Sequence, residues 1–135
     1  MNLEKTQKKM QEIFDIVSSH LLRQNARSIT PFGCAYRGAD GLKCAIGVLI
    51  PDTQYNKTIE GVRANHQKLQ IILIGALELY DYKESERAYI FDFLGALQTT
   101  HDCFNPSSWP RELQILAMNN KLTFNPIGET NDGQS

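Results

Sequence analysis

The sequence predicts a mainly α-helical α+β fold, a single domain with one small β-hairpin. Three observations predict it. Four stretches carry apolar residues at three- and four-residue steps, a glycine-punctuated segment at 34–44 interrupts them, and the 135 residues contain no internal repeat, linker or second domain. With 41% hydrophobic residues the chain buries a core without metal or disulfide staples. The expected domain spans residues 1–125, and residues 126–135, polar in the main after Pro126, are expected to be disordered.

The first helix is expected over residues 3–25. Met10, Ile13, Phe14, Val17, Leu21 and Leu22 form its stripe, and Arg23 and Arg27 near its end complement the helix dipole. His20 lies beside that stripe and reads as a half-exposed packing histidine. Residues 30–33, Thr-Pro-Phe-Gly, then break the pattern.

The hairpin follows at residues 34–44, turning through Gly38-Ala39-Asp40-Gly41 into an apolar segment, 45–50, that Pro51 stops. Two registers are open. A loop over 38–41 pairs Arg37 with Leu42 and puts Cys34 and Cys44 on opposite faces, whereas a five-residue loop sets the two cysteines directly across from each other.

Residues 52–57 read as a turn or short helix, ended by Glu60-Gly61. A second long helix is expected over 65–79, where Leu69, Ile72, Leu73, Ala76, Leu77 and Tyr80 are joined by Ile71 and Ile74 in a wide apolar face. The third begins near Ser85, with Glu86 in its first turn, and ends near Thr100. The last starts at Ser107 or Ser108, with Pro110 and Glu112 in its first turn, and stops at Asn119-Asn120.

Composition excludes several classes of function. A formal net charge of −1 gives no broad attraction to nucleic acid or to an anionic membrane. The N-terminus lacks a basic-then-apolar signal pattern, and the longest apolar run, 71–77, is too short to cross a bilayer. A cytoplasmic protein is expected, and its three cysteines are then reduced.

Four groups of residues carry candidate chemistry. Cys44 follows Lys43 and precedes a short apolar segment, and His101-Asp102 would supply a base and an orienting carboxylate for a thiolate. Cys34, Cys44, His101 and Cys103 form a weaker metal set, because structural zinc ligands come in pairs two to four residues apart and only His101 and Cys103 are close. No metal or other cofactor is expected. Tyr36, Arg37 and Lys43, with Gly38, Gly41 and Gly47, offer a stacking face, a guanidinium fork, a point charge and open backbone amides, which fits a nucleotide-sized anion. Trp109, with Phe104 and Tyr89, is either a second stacking platform or core.

Residues 34–38, Cys-Ala-Tyr-Arg-Gly, then 41–52, Gly-Leu-Lys-Cys-Ala-Ile-Gly-Val-Leu-Ile-Pro-Asp, then Tyr55, Glu60-Gly61, Leu97-Gln98, His101-Asp102 and Trp109, resemble a family of small proteins encoded by tailed bacteriophages and prophages. The resemblance covers most of residues 10–122. It implies a setting, the cytoplasm of an infected bacterium where accessory phage proteins blunt host defence, and no activity.

Three expectations follow. The first is an oligomeric binding protein that sequesters a small anionic, nucleotide-like host signal between the hairpin and the His101-Asp102 segment; Arg37 and Lys43 meet phosphate, Tyr36 or Trp109 a base, His101 or Asp102 the sugar or base edge. The second is a hydrolase or transferase with Cys44 as nucleophile, His101 as base and Asp102 as orienter. The third is an inhibitor that docks on a host protein through the 71–77 face.

Overall fold

The computed structural model describes residues 1–31, 33–63 and 66–125. The tail at 126–135, Phe32 in the predicted break and Asn65 at the predicted start of the second helix lie outside the described residues.

Helix α1, Leu3–Gln24, starts where the Asn2 side chain accepts the Lys5 backbone N–H at 3.0 Å. It ends at Asn25, which adopts the left-handed conformation at φ 50° and donates its backbone N–H to Leu21 O at 2.8 Å. The predicted stripe is the buried one: Met10, Ile13, Phe14, Val17 and Leu21 all face inward.

The small sheet is antiparallel but lies upstream of the predicted hairpin. Strand β1, Ile29–Thr30, pairs with β2, Gly33–Cys34, so that Cys34 faces Ile29. The predicted 34–44 ribbon contracts to a single bridge, Arg37 with Lys43, and follows neither predicted register. Its loop holds a 3-10 turn, Ala39–Gly41, and Tyr36 rather than Cys34 lies beside Cys44, through a Cys44 N–H to Tyr36 O hydrogen bond of 3.2 Å. The apolar segment continues into a buried 3-10 turn, Gly47–Leu49. A Cβ at Gly47 would sit 1.9 Å from Tyr36 O, so only glycine permits this approach of two backbones.

A third 3-10 turn, Lys57–Ile59, precedes α2, Gln67–Ala76, a shorter helix than its apolar run predicts. Helix α3, Glu84–Cys103, starts where Glu86 accepts the Lys83 backbone N–H at 2.7 Å, and the same carboxylate accepts the Asn2 N–H at 2.6 Å. One side chain thus fastens the N-termini of α1 and α3 together. Helix α4, Trp109–Asn119, begins after Ser108 with Pro110 in its first turn, as predicted. Helices α1, α3 and α4 pack on one another, and residues 44–50 and 59 with Leu69 and Leu73 of α2 complete the core. Among the described residues no helix is long and apolar enough to cross a membrane.

Candidate functional site

Helix α3 runs through Cys103, so His101 and Asp102 lie on its last turn rather than in a loop. His101 is fully buried and stacks on Trp109, ring centroids 5.6 Å apart. Both ring nitrogens are engaged. Nε2 accepts the Ser28 backbone N–H at 2.9 Å and Nδ1 faces Asp102 Oδ1 at 2.7 Å. An amide can only donate, so the ring proton sits on Nδ1 and is donated to Asp102.

Asp102 Oδ1 also accepts the Gln98 amide, one turn earlier, at 2.8 Å. Desolvation is the largest single influence on this carboxyl and pushes it up, but the hydrogen bonds from His101, Cys34 and Gln98 outweigh it and hold it below its ordinary value. Gln98 in turn accepts the Ile46 N–H at 3.0 Å, tying α3 to the apolar segment.

The cysteine beside this pair is Cys34, not Cys44. Cys34 Sγ, a His101 ring nitrogen and an Asp102 oxygen lie within 4.8 Å of one another. Burial, then the Asp102 charge and the hydrogen bond to it, push the Cys34 thiol up, so it remains a thiol that donates to Asp102. Cys44 is fully buried, its Sγ accepts the Gly47 N–H at 3.3 Å, and desolvation pushes it up to about 12. The predicted nucleophile is therefore a structural thiol, and His101 has no free lone pair to act as its base.

The remaining predicted contacts fare differently. Arg37 Nη2 meets both Asp52 Oδ1 at 2.7 Å and Ile50 O at 2.8 Å, its Nε is buried without a partner, and its guanidinium lies 4.6 Å over the Tyr55 ring. Lys43 Nζ is 3.8 Å from the same Asp52 oxygen. Its backbone is bound in both directions by the Gln24 amide, and His20 Nε2 adds a contact to Lys43 O at 2.9 Å. Tyr36 is buried with its hydroxyl donated to Val62 O, and burial pushes it up to about 12. Trp109 is fully buried and donates Nε1–H to Phe104 O at 3.1 Å. Neither ring offers a stacking face to a ligand, and both cations pair with Asp52.

The open space is a cleft of about 420 Å³ walled by residues 34–36, by 60–63 and by Gln98, Thr99 and Asp102. A second hollow of about 580 Å³, which reaches Thr30, Arg37, Tyr55 and Lys57, shares residues 34, 35, 60 and 61 with the first. Glu60 builds the common wall. Its Oε1 accepts the Tyr36 N–H at 3.0 Å, and its Oε2 accepts the Arg37 N–H at 3.1 Å and the Tyr55 hydroxyl at 2.6 Å. The ionic side chains of the first cleft are thus Glu60 and Asp102 against the exposed Arg63, whose backbone carbonyl accepts the His66 N–H at 2.9 Å.

No protein-family model matches the chain, and neither a curated protein nor a solved structure matches it. The cleft is read from its own geometry. The Cys34, His101 and Asp102 donor atoms are close enough for one metal ion, but a ligating histidine passes its second ring N–H to an acceptor, whereas Nε2 here already faces an N–H donor. The set suits a hydrogen-bond chain better than a metal. Glu60, Arg63 and Gln98 held no assigned role in the sequence reading. The four-residue spacing of Gln98 and Asp102 becomes a signal only once α3 is extended past Thr100.

Proposed function

We propose that the chain is a binding protein that holds a small, polar, nucleotide-like ligand in the cleft between residues 34–36, residues 60–63 and the last turns of α3. The observation that carries this reading is convergence. Three segments remote in sequence wall one hollow whose volume of about 420 Å³ lies in the range of about 300–1,000 Å³ used for small ligands. Arg37 and Lys43 pair with Asp52 and do not line this cleft, so Arg63 is the lining cation placed to meet an anionic group. The resemblance to phage-encoded proteins supports a setting inside an infected bacterium, where such a pocket would sequester a host defence signal.

Thermal melts against mononucleotides, cyclic nucleotides and ADP-ribose test the reading, since a bound ligand raises the melting temperature with concentration. At least one class should do so. Thr99→Trp, an exposed substitution that fills the cleft, should abolish the rise without changing the melt of the free protein. No shift with any compound at millimolar concentration overturns it.

A second reading, docking on a host protein, is favoured by Ile71, 62% exposed on α2, and Tyr80, 72% exposed just past the end of that helix. Ile71→Asp should then abolish capture of the partner by the purified chain, and an unchanged capture would remove this reading.

A further inference from the structure

The second hollow, about 580 Å³, is chemically unlike the first. Pro31, Ala35, Gly61 and the partly buried Tyr55 ring make its wall mainly apolar. Its neutral donors are spent: the Thr30 hydroxyl on Gly33 O, the Cys34 thiol on Asp102, and the Tyr55 hydroxyl on Glu60, whose two oxygens hold three donors between them. What remains is cationic. Lys57 is exposed, its side chain in no salt bridge among the described residues, and Arg37 lines the same wall.

Arg37 is held incompletely. Nη2 carries both Asp52 Oδ1 and Ile50 O, while the buried Nε has no acceptor, although buried donors are nearly always met. Asp52 is a weak hold, because its side chain is 81% exposed and water competes for it. A carboxylate can bridge Nε and Nη2 with its two oxygens, an edge that Asp52 occupies only at Nη2. We propose that this hollow is a separate binding site for a small organic carboxylate with an apolar body. The body lies against Pro31, Ala35 and Tyr55, Lys57 attracts the acid, and its carboxylate displaces Asp52 to bridge Nε and Nη2 of Arg37. Nε is enclosed as it stands, so the guanidinium turns as the acid enters. A monoanion suits the site better than phosphate, whose second charge would face Glu60. This site is independent of the nucleotide cleft and stands without it.

Titration calorimetry of the full chain with octanoate, phenylpropionate and cinnamate, each beside its neutral amide, and with acetate and inorganic phosphate tests it. At least one of the three acids should bind about tenfold more tightly than its amide, acetate or phosphate. Arg37→Gln should weaken that acid about tenfold and Lys57→Gln several-fold, while Asp52→Asn, which removes the competitor, should tighten it. Thr99→Trp fills the neighbouring cleft and should leave acid binding unchanged. Should Arg37→Gln fail to fold, the Lys57→Gln and Asp52→Asn variants, both at exposed side chains, still decide. No acid bound above its amide, or acid binding that Lys57→Gln and Asp52→Asn leave unaltered, overturns the site. Loss of acid binding in Thr99→Trp places the acid in the other cleft and overturns it as well.

Discussion

Ser28 donates its backbone N–H to Nε2 of His101 at 2.9 Å, across 73 residues of chain. This bond fixes the tautomer of a fully buried imidazole and removes it from both base catalysis and metal ligation. It also sets what a substitution does. His101→Phe keeps a ring against Trp109 but strands a buried N–H and takes a donor from Asp102, for a loss of about 2 kcal/mol. His101→Ala adds a cavity and should lose about 4 kcal/mol. Both are read as a lower urea midpoint at unchanged slope. A phenylalanine variant as stable as the parent would show that the Ser28 bond contributes nothing.

The three thiols should separate by reactivity. Cys103 and Cys34 are exposed and Cys44 is buried. At pH 7 an alkylating reagent should leave Cys44 unmodified until the protein unfolds. Cys34 should react slowly and accelerate towards and above pH 9, because burial and the Asp102 charge both raise its pKa. Asp102→Asn removes that charge and should speed the reaction several-fold at pH 8, followed by mass spectrometry of the labelled peptides. Fast labelling of Cys34 at pH 6 would contradict the hydrogen-bonded thiol.

The pH dependence of stability follows from three lowered groups. Desolvation, with Arg23 and Lys43 nearby, lowers His20 despite its bond to Lys43 O; the Asn2 and Lys83 amides lower Glu86; the hydrogen bonds already described lower Asp102. In each case the unfolded chain binds the proton more readily, so stability rises with pH. Each contribution is complete above the ordinary values of 6.5, 4.5 and 3.8 and is lost as pH falls through the lower, folded value. Melting temperature should therefore fall in two stages on acidification, a shallow one below pH 6.5 and a steeper one below pH 4.5. His20→Gln, which can still donate to Lys43 O, should remove the first stage. A melting temperature that climbs between pH 7 and pH 5 would refute the assignment.

The helices were legible because their spacing repeats locally: the buried stripe of α1 and the Ser-Ser-Trp-Pro start of α4 are short-range signals. The end of α3 was not, since Thr99, Thr100 and His101 are indifferent helix formers and packing on Trp109 carries the helix past them. The ribbon failed for a different reason. Gly38 and Gly41 allow several turns, and what selects the observed register is tertiary: Gln24 grips both backbone polar groups of Lys43, and Glu60 accepts the backbone N–H groups of Tyr36 and Arg37. The same holds at the site. Approach of residues 34–36 to the end of α3 was expected and is observed, but which cysteine faces Asp102 depends on that register.

Glu60 holds three donors, from Tyr36, Arg37 and Tyr55, with one carboxylate. Removing it strands two backbone N–H groups and frees the 52–61 segment from the wall it shares with both hollows. Glu60→Ala should lose about 2–3 kcal/mol, whereas Tyr55→Phe, which removes a single bond at a partly solvated site, should lose about 1 kcal/mol. Because Tyr55 acts through Glu60, the two losses should not add, and the double variant should be close to Glu60→Ala alone. Amide exchange at residues 36 and 37 should accelerate in Glu60→Ala and hardly change in Tyr55→Phe. Strict additivity, with both amides still protected, would mean that the backbone of the cleft wall stands without this carboxylate.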